Sequence, residues 1–177
     1  MGITPVSGKG FWATKLGVGD FYYELGVQIV EICLATAHRN GGLITLTELH
    51  QLLLRSRSRS RKDDISRDDI LRAIEKLKLL GEGFQAIPLQ NGEEYLIQSI
   101  PGELNLDHTK VLQLAQERCY VTLPLICSTF GWSNDRATQV VDHLVKDGLT
   151  WVDFQTPDQE PQYWFPSLFT QMADSST

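Results

Sequence analysis

The hydrophobic and polar positions of this chain predict the same order of elements twice: helix, short strand, helix, helix, and two strands joined by a turn. Leu43-Ile44-Thr45-Leu46 opens the second helix of the first copy, and Tyr120-Val121-Thr122-Leu123 opens it in the second. The third helix ends at Gly81 in the first copy and at Gly148 in the second. Repetition of a whole domain is a stronger signal than any short motif. The pattern therefore predicts two tandem winged-helix domains, a mainly α fold with small β wings (α+β).

In the first copy, apolar residues recur at helical spacing from Asp20 to Arg39, and glycines follow as a stop signal. Thr45 and Glu48 have the spacing of a capping box for the second helix, and Ser66 is a capping residue for the third. The predicted core side chains of these two helices are Leu46, Leu49, Leu53, Ile70, Ile74 and Leu77. Asn91-Gly92 between two extended runs predicts a hairpin, which is the wing.

The second copy follows the same plan, with a first helix from about Asn105 to Arg118. Pro124 falls in the first turn of the next helix, where a missing amide proton costs little. The third helix begins at Ser133, and its wing runs from Leu149 to Pro166. This wing is the part of the chain richest in aromatic residues.

These patterns divide the chain into four parts: a lead-in segment (1–19), the first winged-helix domain (20–102), the second (103–170) and a flexible tail (171–177). Ile100-Pro101-Gly102 separates the two domains. Because this linker is short, we expect the domains to keep a defined mutual orientation.

Composition is that of a globular protein, with 42% hydrophobic and 21% charged residues among 177. No apolar run approaches the roughly 18 residues of a membrane span, and the first ten residues do not resemble a signal peptide. Cys33, Cys119 and Cys127 are odd in number and lack C-x-x-C spacing. They are interpreted as buried thiols in a reducing cytosol.

Charge argues against DNA binding, because the net charge is -6 and the predicted third helices mix acidic with basic residues. The exception is the Arg-Ser run, residues 55–62, which holds five positive charges and no negative ones. We interpret it as a solvated loop whose serines are candidates for phosphorylation. The alternative is a nucleic-acid-binding tandem winged-helix protein, a transcription regulator with Arg55–Lys62 as its electrostatic contact.

Nothing in the sequence indicates catalysis. The four histidines are scattered singly, and no nucleophile-base or paired-carboxylate spacing stands out. The glycines between residues 8 and 19 do not form a phosphate loop. The chain is therefore predicted not to be an enzyme and to have no metal and no cofactor.

The aromatic residues of the second wing are the candidate binding site. Alternate residues of a strand face opposite sides, so some of these aromatics belong to the core while others are free for a partner. Exposed aromatics next to prolines are typical of grooves that bind proline-rich segments. The candidate partner-binding residues are Trp151, Tyr163, Trp164 and Phe165, with Phe11 and Trp12 of the lead-in segment.

Several sequence blocks resemble the vacuolar protein sorting twenty-two (EAP-thirty) family of subunits of the ESCRT-II endosomal sorting complex. The blocks that carry this resemblance are Gly8–Trp12, Gly17–Gln28, His38–Leu46, Tyr95–Ser99 and Tyr163–Pro166. The resemblance extends from about Ser7 to Phe169, and the block from Gly17 to Gln28 is long enough to be specific.

The resemblance implies a non-catalytic scaffold in a hetero-oligomer that sorts ubiquitinated membrane cargo into multivesicular bodies. It implies a cytoplasmic protein that is recruited to the endosome and reaches the membrane peripherally, through the complex, without binding specific nucleic acid. In this family the second winged helix receives a small winged-helix subunit through a proline-rich N-terminal segment. The first winged helix packs against the subunit that carries a lipid- and ubiquitin-binding domain.

The resemblance leaves two features uncovered. The family has an N-terminal helical region, with a basic segment for membrane attachment, ahead of the part that matches here. The Arg-Ser run is not a feature that we associate with the family.

Overall fold

Capping residues and glycine stops divide the chain into the elements of two winged helices, which the computed structural model describes for residues 5–57, 64–81, 83–90, 92–99 and 104–169. Side chains are described from residue 19 onward within these ranges. Module one contains α1 (Pro5–Asn40), β1 (Leu43–Thr45), α2 (Leu46–Ser56), α3 (Arg67–Leu80), β2 (Gln85–Pro88) and β3 (Tyr95–Gln98). Module two contains α4 (Leu106–Ala115), β4 (Tyr120–Val121), α5 (Leu123–Phe130), α6 (Asn134–Lys146), β5 (Trp151–Asp153), β6 (Gln162–Trp164) and a 3-10 helix (Pro166–Leu168).

Each module has a three-stranded antiparallel sheet in which the last strand in the chain lies in the middle. The order is β1-β3-β2 in module one and β4-β6-β5 in module two. The first short strand of each module thus pairs with the far strand of its wing. This repeated topology confirms the predicted α+β fold class.

The first helix is longer than predicted, because α1 begins at Pro5 and runs without interruption to Asn40. The prediction of a helix that begins at Asp20 is therefore wrong. Helical spacing of apolar residues starts only at Tyr22, and the glycines before Asp20 have low helix propensity. The division of the chain into domains stays a prediction, and both the tail (171–177) and Ser58–Lys62 of the Arg-Ser run lie outside the described residues.

The predicted helix caps form, with one difference in detail. Ser66 and Asp69 form a reciprocal capping box at α3: the Asp69 N–H donates to Ser66 Oγ at 3.1 Å, and the Ser66 N–H donates to Asp69 Oδ2 at 2.9 Å. At α2, Thr45 Oγ1 accepts from the Glu48 N–H at 3.1 Å. The Glu48 carboxylate turns instead toward Arg39, at 2.7 Å.

The two modules share apolar packing. Module one has its own core between α1, α2 and α3, and the predicted residues Leu46, Leu49 and Leu53 are buried in it. The larger cluster belongs mainly to module two but also contains residues of the sheet and wing of module one: Leu43, Ile87, Leu89 and Leu96. The sheet of module one thus packs against module two.

Polar contacts fix this arrangement. Gln113 Nε2 donates to the Pro88 carbonyl at 2.9 Å, and the Gln90 N–H donates to Gln116 Oε1 at 3.0 Å. Gly41 lies so close to module two that an added Cβ would meet the Gly148 carbonyl oxygen at 2.4 Å. These contacts confirm the expectation of a defined mutual orientation.

Candidate protein-binding surface

The sheet of module two has one apolar inner face and one aromatic outer face. Trp151 of β5 pairs with Trp164 of β6, and Trp164 pairs with Tyr120 of β4, so the three side chains share a face. Two residues further along the strands, the pair Asp153 and Gln162 lies on the same face. A row of aromatic rings therefore crosses all three strands on the outside of the module.

Phe169 extends this row. Its ring is 5.9 Å from that of Trp151 and 6.2 Å from that of Trp164, both edge to face. Tyr120 and Trp164 are tilted against each other with centroids 4.7 Å apart. Trp151 is 57% exposed and Phe169 is 37% exposed. We call Tyr120, Trp151, Trp164 and Phe169 the aromatic surface.

Two predicted contact residues face the other way. Tyr163 and Phe165 flank Trp164, and their side chains are 8% and 0% exposed. Burial, reinforced by Asp142, raises the pKa of the Tyr163 hydroxyl. The expectation that these two residues contact a partner is corrected, because strand alternation directs both into the core.

The remaining predicted residues divide in the same way. Trp151 and Trp164 lie on the aromatic surface. Phe11 and Trp12 lie in α1, and their side chains are outside those that the structure describes. Their role as contacts stays a prediction.

Sequence reasoning missed Tyr120 and did not single out Phe169 as a contact. Tyr120 lies on a two-residue strand far from the wing in sequence, and only the pairing with Trp164 brings it to the surface. The repeat did hold a signal, because it marks Tyr120 as the start of the short strand. A topology in which that strand pairs with the wing would then have placed it beside Trp164.

A groove adjoins the aromatic surface at Tyr120 and has a volume of about 420 Å³. We call it the wing groove, because the turn of the wing forms one wall and α5 forms the other. Its lining consists of Arg118, Tyr120, Thr122, Pro124, Leu125, Ser128, Thr156, Asp158, Glu160 and Gln162. Polar and apolar groups are mixed there, as in a site for a polypeptide segment.

A second, more apolar groove lies on module one between α1 and the end of α3, with a volume of about 580 Å³. Tyr23, Leu79 and Leu80 border it and are strongly exposed. Gly26 of α1 faces Leu77 of α3 in this groove, and an added Cβ would be 3.4 Å from Leu77 Cδ2. We call this the helix groove.

The third helices are poorly suited to phosphate binding, because their arginines are already paired. Arg136 of α6 donates two hydrogen bonds of 2.9 Å to Asp107 and stacks over Trp132 at 4.4 Å. Arg67 of α3 contacts Glu94 at 3.2 Å, and Arg72 contacts Asp68 at 2.8 Å. Carboxylates thus neutralise the guanidinium groups that a DNA-binding helix would direct at phosphate.

Within the described ranges, no group of three or more histidine, cysteine, aspartate or glutamate side chains could hold a metal ion. The three cysteines are free thiols, with Cys33 and Cys119 buried. Burial raises the pKa of the Cys33 thiol to about 11. No helix of the described segments is long and apolar enough to cross a bilayer.

Comparison with known proteins gives a consistent result. The model of the EAP30/Vps36 family matches residues 1–154. Vacuolar-sorting protein SNF8 of Homo sapiens is 58% identical over 173 residues, which are 97% of this chain and 66% of that protein. The vacuolar protein sorting-associated protein 22 homolog 1 of Arabidopsis thaliana is 44% identical over 95% of this chain and 66% of its own length. This chain thus spans slightly less than two thirds of the length of these relatives.

Solved structures agree. A crystal structure of the endosomal complex ESCRT-II (VPS22/VPS25/VPS36) contains a chain with a TM-score of 0.70 and 34% identity, over 96% of this chain and 75% of that one. A structure of the ESCRT-II endosomal trafficking complex gives a TM-score of 0.71 and 33% identity over the same shares. These relatives are named as sorting proteins and as a complex, and nothing among them favours the nucleic-acid alternative.

Proposed function

This chain belongs to the EAP30/Vps36 family, and from that membership we propose that it is a non-catalytic scaffold subunit of an ESCRT-II-like complex. In this role it contributes to the sorting of ubiquitinated membrane cargo into multivesicular bodies. It works in the cytoplasm and is recruited to the endosome through its complex. The observation that carries the proposal is the aromatic surface, a set of exposed and half-buried rings on a fold whose relatives occur in such a complex.

The aromatic surface is where we place the small winged-helix subunit. Trp151 and Phe169 are partly exposed to solvent, and Trp164 lies between Tyr120 and Phe169. Aromatic rings bury a large area at a low entropy cost, which is why they dominate binding hot spots. A proline-rich segment suits them because it is already extended before it binds.

The test is a titration of this chain with the small subunit and with its proline-rich segment as a peptide. Trp151→Ala and Trp164→Ala are each expected to weaken binding by at least about 2 kcal/mol, which is roughly 30-fold. Phe154→Ala is the matched control, because Phe154 is 72% exposed on the same wing and makes no ring contact with the aromatic surface among the described residues. Full binding by folded Trp151→Ala and Trp164→Ala variants would exclude this site.

The helix groove is where we place the larger subunit, which carries the lipid- and ubiquitin-binding domain. Leu79 and Leu80 are 86% and 81% exposed beside an apolar groove, and exposed apolar patches of this kind mark interaction sites. The double variant Leu79→Ala/Leu80→Ala is expected to weaken binding of that subunit by about ten-fold or more, or roughly 1.4 kcal/mol. Leu106→Ala, at an exposed leucine of module two, is the control. Equal binding by both variants would place the larger subunit elsewhere.

A further inference from the structure

The wing groove is an additional binding site that continues the aromatic surface. We propose that it binds a lysine or arginine side chain of the same extended segment that crosses the aromatic surface. This inference rests on the proposed function, because it adds a charge requirement to the partner segment.

Tyr120 links the two sites. Its ring stacks on Trp164 on the aromatic surface, and it also lines the wing groove. From Trp151 to Tyr120 the surface spans two inter-strand spacings, about 10 Å. An extended chain covers that distance in about three residues. A segment anchored on Trp151 therefore reaches the groove about three to four residues later.

The charges of the wing favour a cation. Residues 149–169 contain three carboxylates, Asp153, Asp158 and Glu160, and no lysine, arginine or histidine. All three are exposed. Asp158 and Glu160 line the groove, and Asp153 lies on the outer face of the same sheet.

Within the described residues, the two carboxylates of the groove, Asp158 and Glu160, form no ion pair. Arg118 lines the groove as well, and among the same residues it forms no ion pair either. With two carboxylates against one guanidinium, the groove favours a cationic over an anionic side chain.

Hydrogen bonds hold the acidic turn in shape. Thr156 Oγ1 donates to the Glu160 carbonyl at 2.7 Å, and the Gln159 N–H donates to the Thr156 carbonyl at 3.1 Å. The Gln155 N–H donates to Asp153 Oδ1 at 2.8 Å, which orders the start of the loop. The two carboxylates of the groove therefore project from a turn whose backbone is closed on itself, which limits the backbone entropy lost when a cation binds.

The experiment uses the full chain and three synthetic peptides with one proline-rich core, Pro-Pro-x-Tyr. In the first set, the peptides carry arginine, glutamine or glutamate at the fourth position after the core. A second set carries the same three residues at the fourth position before the core, because the segment can cross the surface in either direction. The arginine peptide of one set is expected to bind about three- to five-fold more tightly than its glutamine counterpart, the size of an exposed ion pair. The glutamate peptide is expected to bind more weakly still.

The charge preference should disappear in the Asp158→Asn/Glu160→Gln variant and shrink as salt is raised. The control variant Asp135→Asn/Glu75→Gln removes the same number of charges from the exposed faces of the third helices. This variant should keep the preference for the arginine peptide. Equal binding of the three peptides, with Trp151 still required, would overturn this inference and leave the proposed function standing. The inference would also be overturned if the glutamate peptide bound most tightly and the Arg118→Gln variant lost that preference. No binding of any peptide would contradict the proposed function itself.

Discussion

His108 shows at the scale of one residue how this fold constrains a titratable group. It lies near the start of α4, where its Nδ1 accepts the Asn105 N–H at 3.1 Å. Its side chain is buried, and its ring is 4.5 Å from that of His143 on α6. Burial lowers the pKa of His108, and the neighbouring His143 lowers it further. Asp107 and Asp147 raise the pKa but do not offset these two effects. The neutral ring is the form that both the cap and the core require.

Acid is therefore expected to destabilise module two. As the pH falls below about 6.5, the ordinary pKa of histidine, the unfolded chain binds a proton that folded His108 resists. The free energy of unfolding should then be largest above that pH and should decrease as the pH is lowered. Urea unfolding between pH 5 and 7.5 measures this slope.

His108→Gln provides the control, because glutamine is a favoured residue at this capping position and does not titrate. Its unfolding free energy should depend less steeply on pH. An unchanged slope would mean that His108 does not carry the acid sensitivity.

The candidate site was predictable only in part, and single residues show why. The run Tyr163-Trp164-Phe165 indicates that alternate rings face opposite sides, but not which ones face solvent. That choice depends on the pairing of β6 with β4 and β5, and sequence spacing does not encode it. Likewise His108 and His143 are isolated in sequence, and only the packing of α4 on α6 brings them into contact.

Whole elements were easier to predict, because their ends carry local signals. Ser66, Ser133 and Gly148 each mark a helix end through backbone hydrogen bonds that need no tertiary information. The start of α1 was missed because the apolar periodicity begins at Tyr22. Helix residues before that point show no amphipathic pattern that the sequence could reveal.

The cap of α3 is expected to contribute measurably to stability. Ser66→Ala removes the acceptor of the Asp69 N–H and half of the capping box, so the free energy of unfolding should fall by about 1 kcal/mol. Ser128→Ala serves as the comparison, because the Ser128 hydroxyl of α5 bonds, among the residues that the structure describes, only to the Leu125 carbonyl of its own helix. That change should stay within about 0.5 kcal/mol. Chemical denaturation measures both, and equal losses would mean that the capping box has no special role.

At the scale of the whole molecule, the two modules form a continuous packed structure. The short linker suggested a fixed orientation, but nothing in the sequence distinguished side chains at the module interface from ordinary core residues. Leu43 and Ile87 illustrate this: both belong to the module-one sheet, yet both pack in the cluster that module two dominates. Unfolding is therefore expected to involve both modules together.

Two glycines with matched backbones test this coupling. Gly41 ends α1 at φ +67°, and Gly131 ends α5 at φ +65°. Alanine at either site enters the left-handed region, which costs about 1–2 kcal/mol. Around Gly131 nothing lies within 4 Å of an added Cβ, whereas at Gly41 that atom would meet the Gly148 carbonyl oxygen.

Gly41→Ala is thus expected to destabilise the protein by about 1–3 kcal/mol more than Gly131→Ala, the range for overpacking a fitted interface. The strained contact should also shift the amide resonances of Gly148 and Leu149 in module two, although the substitution is in module one. Denaturation curves and amide NMR spectra of the two variants provide both readouts. Equal destabilisation, with the module-two resonances unmoved, would mean that the modules pack too loosely for one to sense the other. A larger loss of stability in Gly41→Ala, with shifted module-two resonances, would mean that the aromatic surface and the helix groove lie at a fixed separation. A partner bound to one module is then oriented relative to the partner bound to the other.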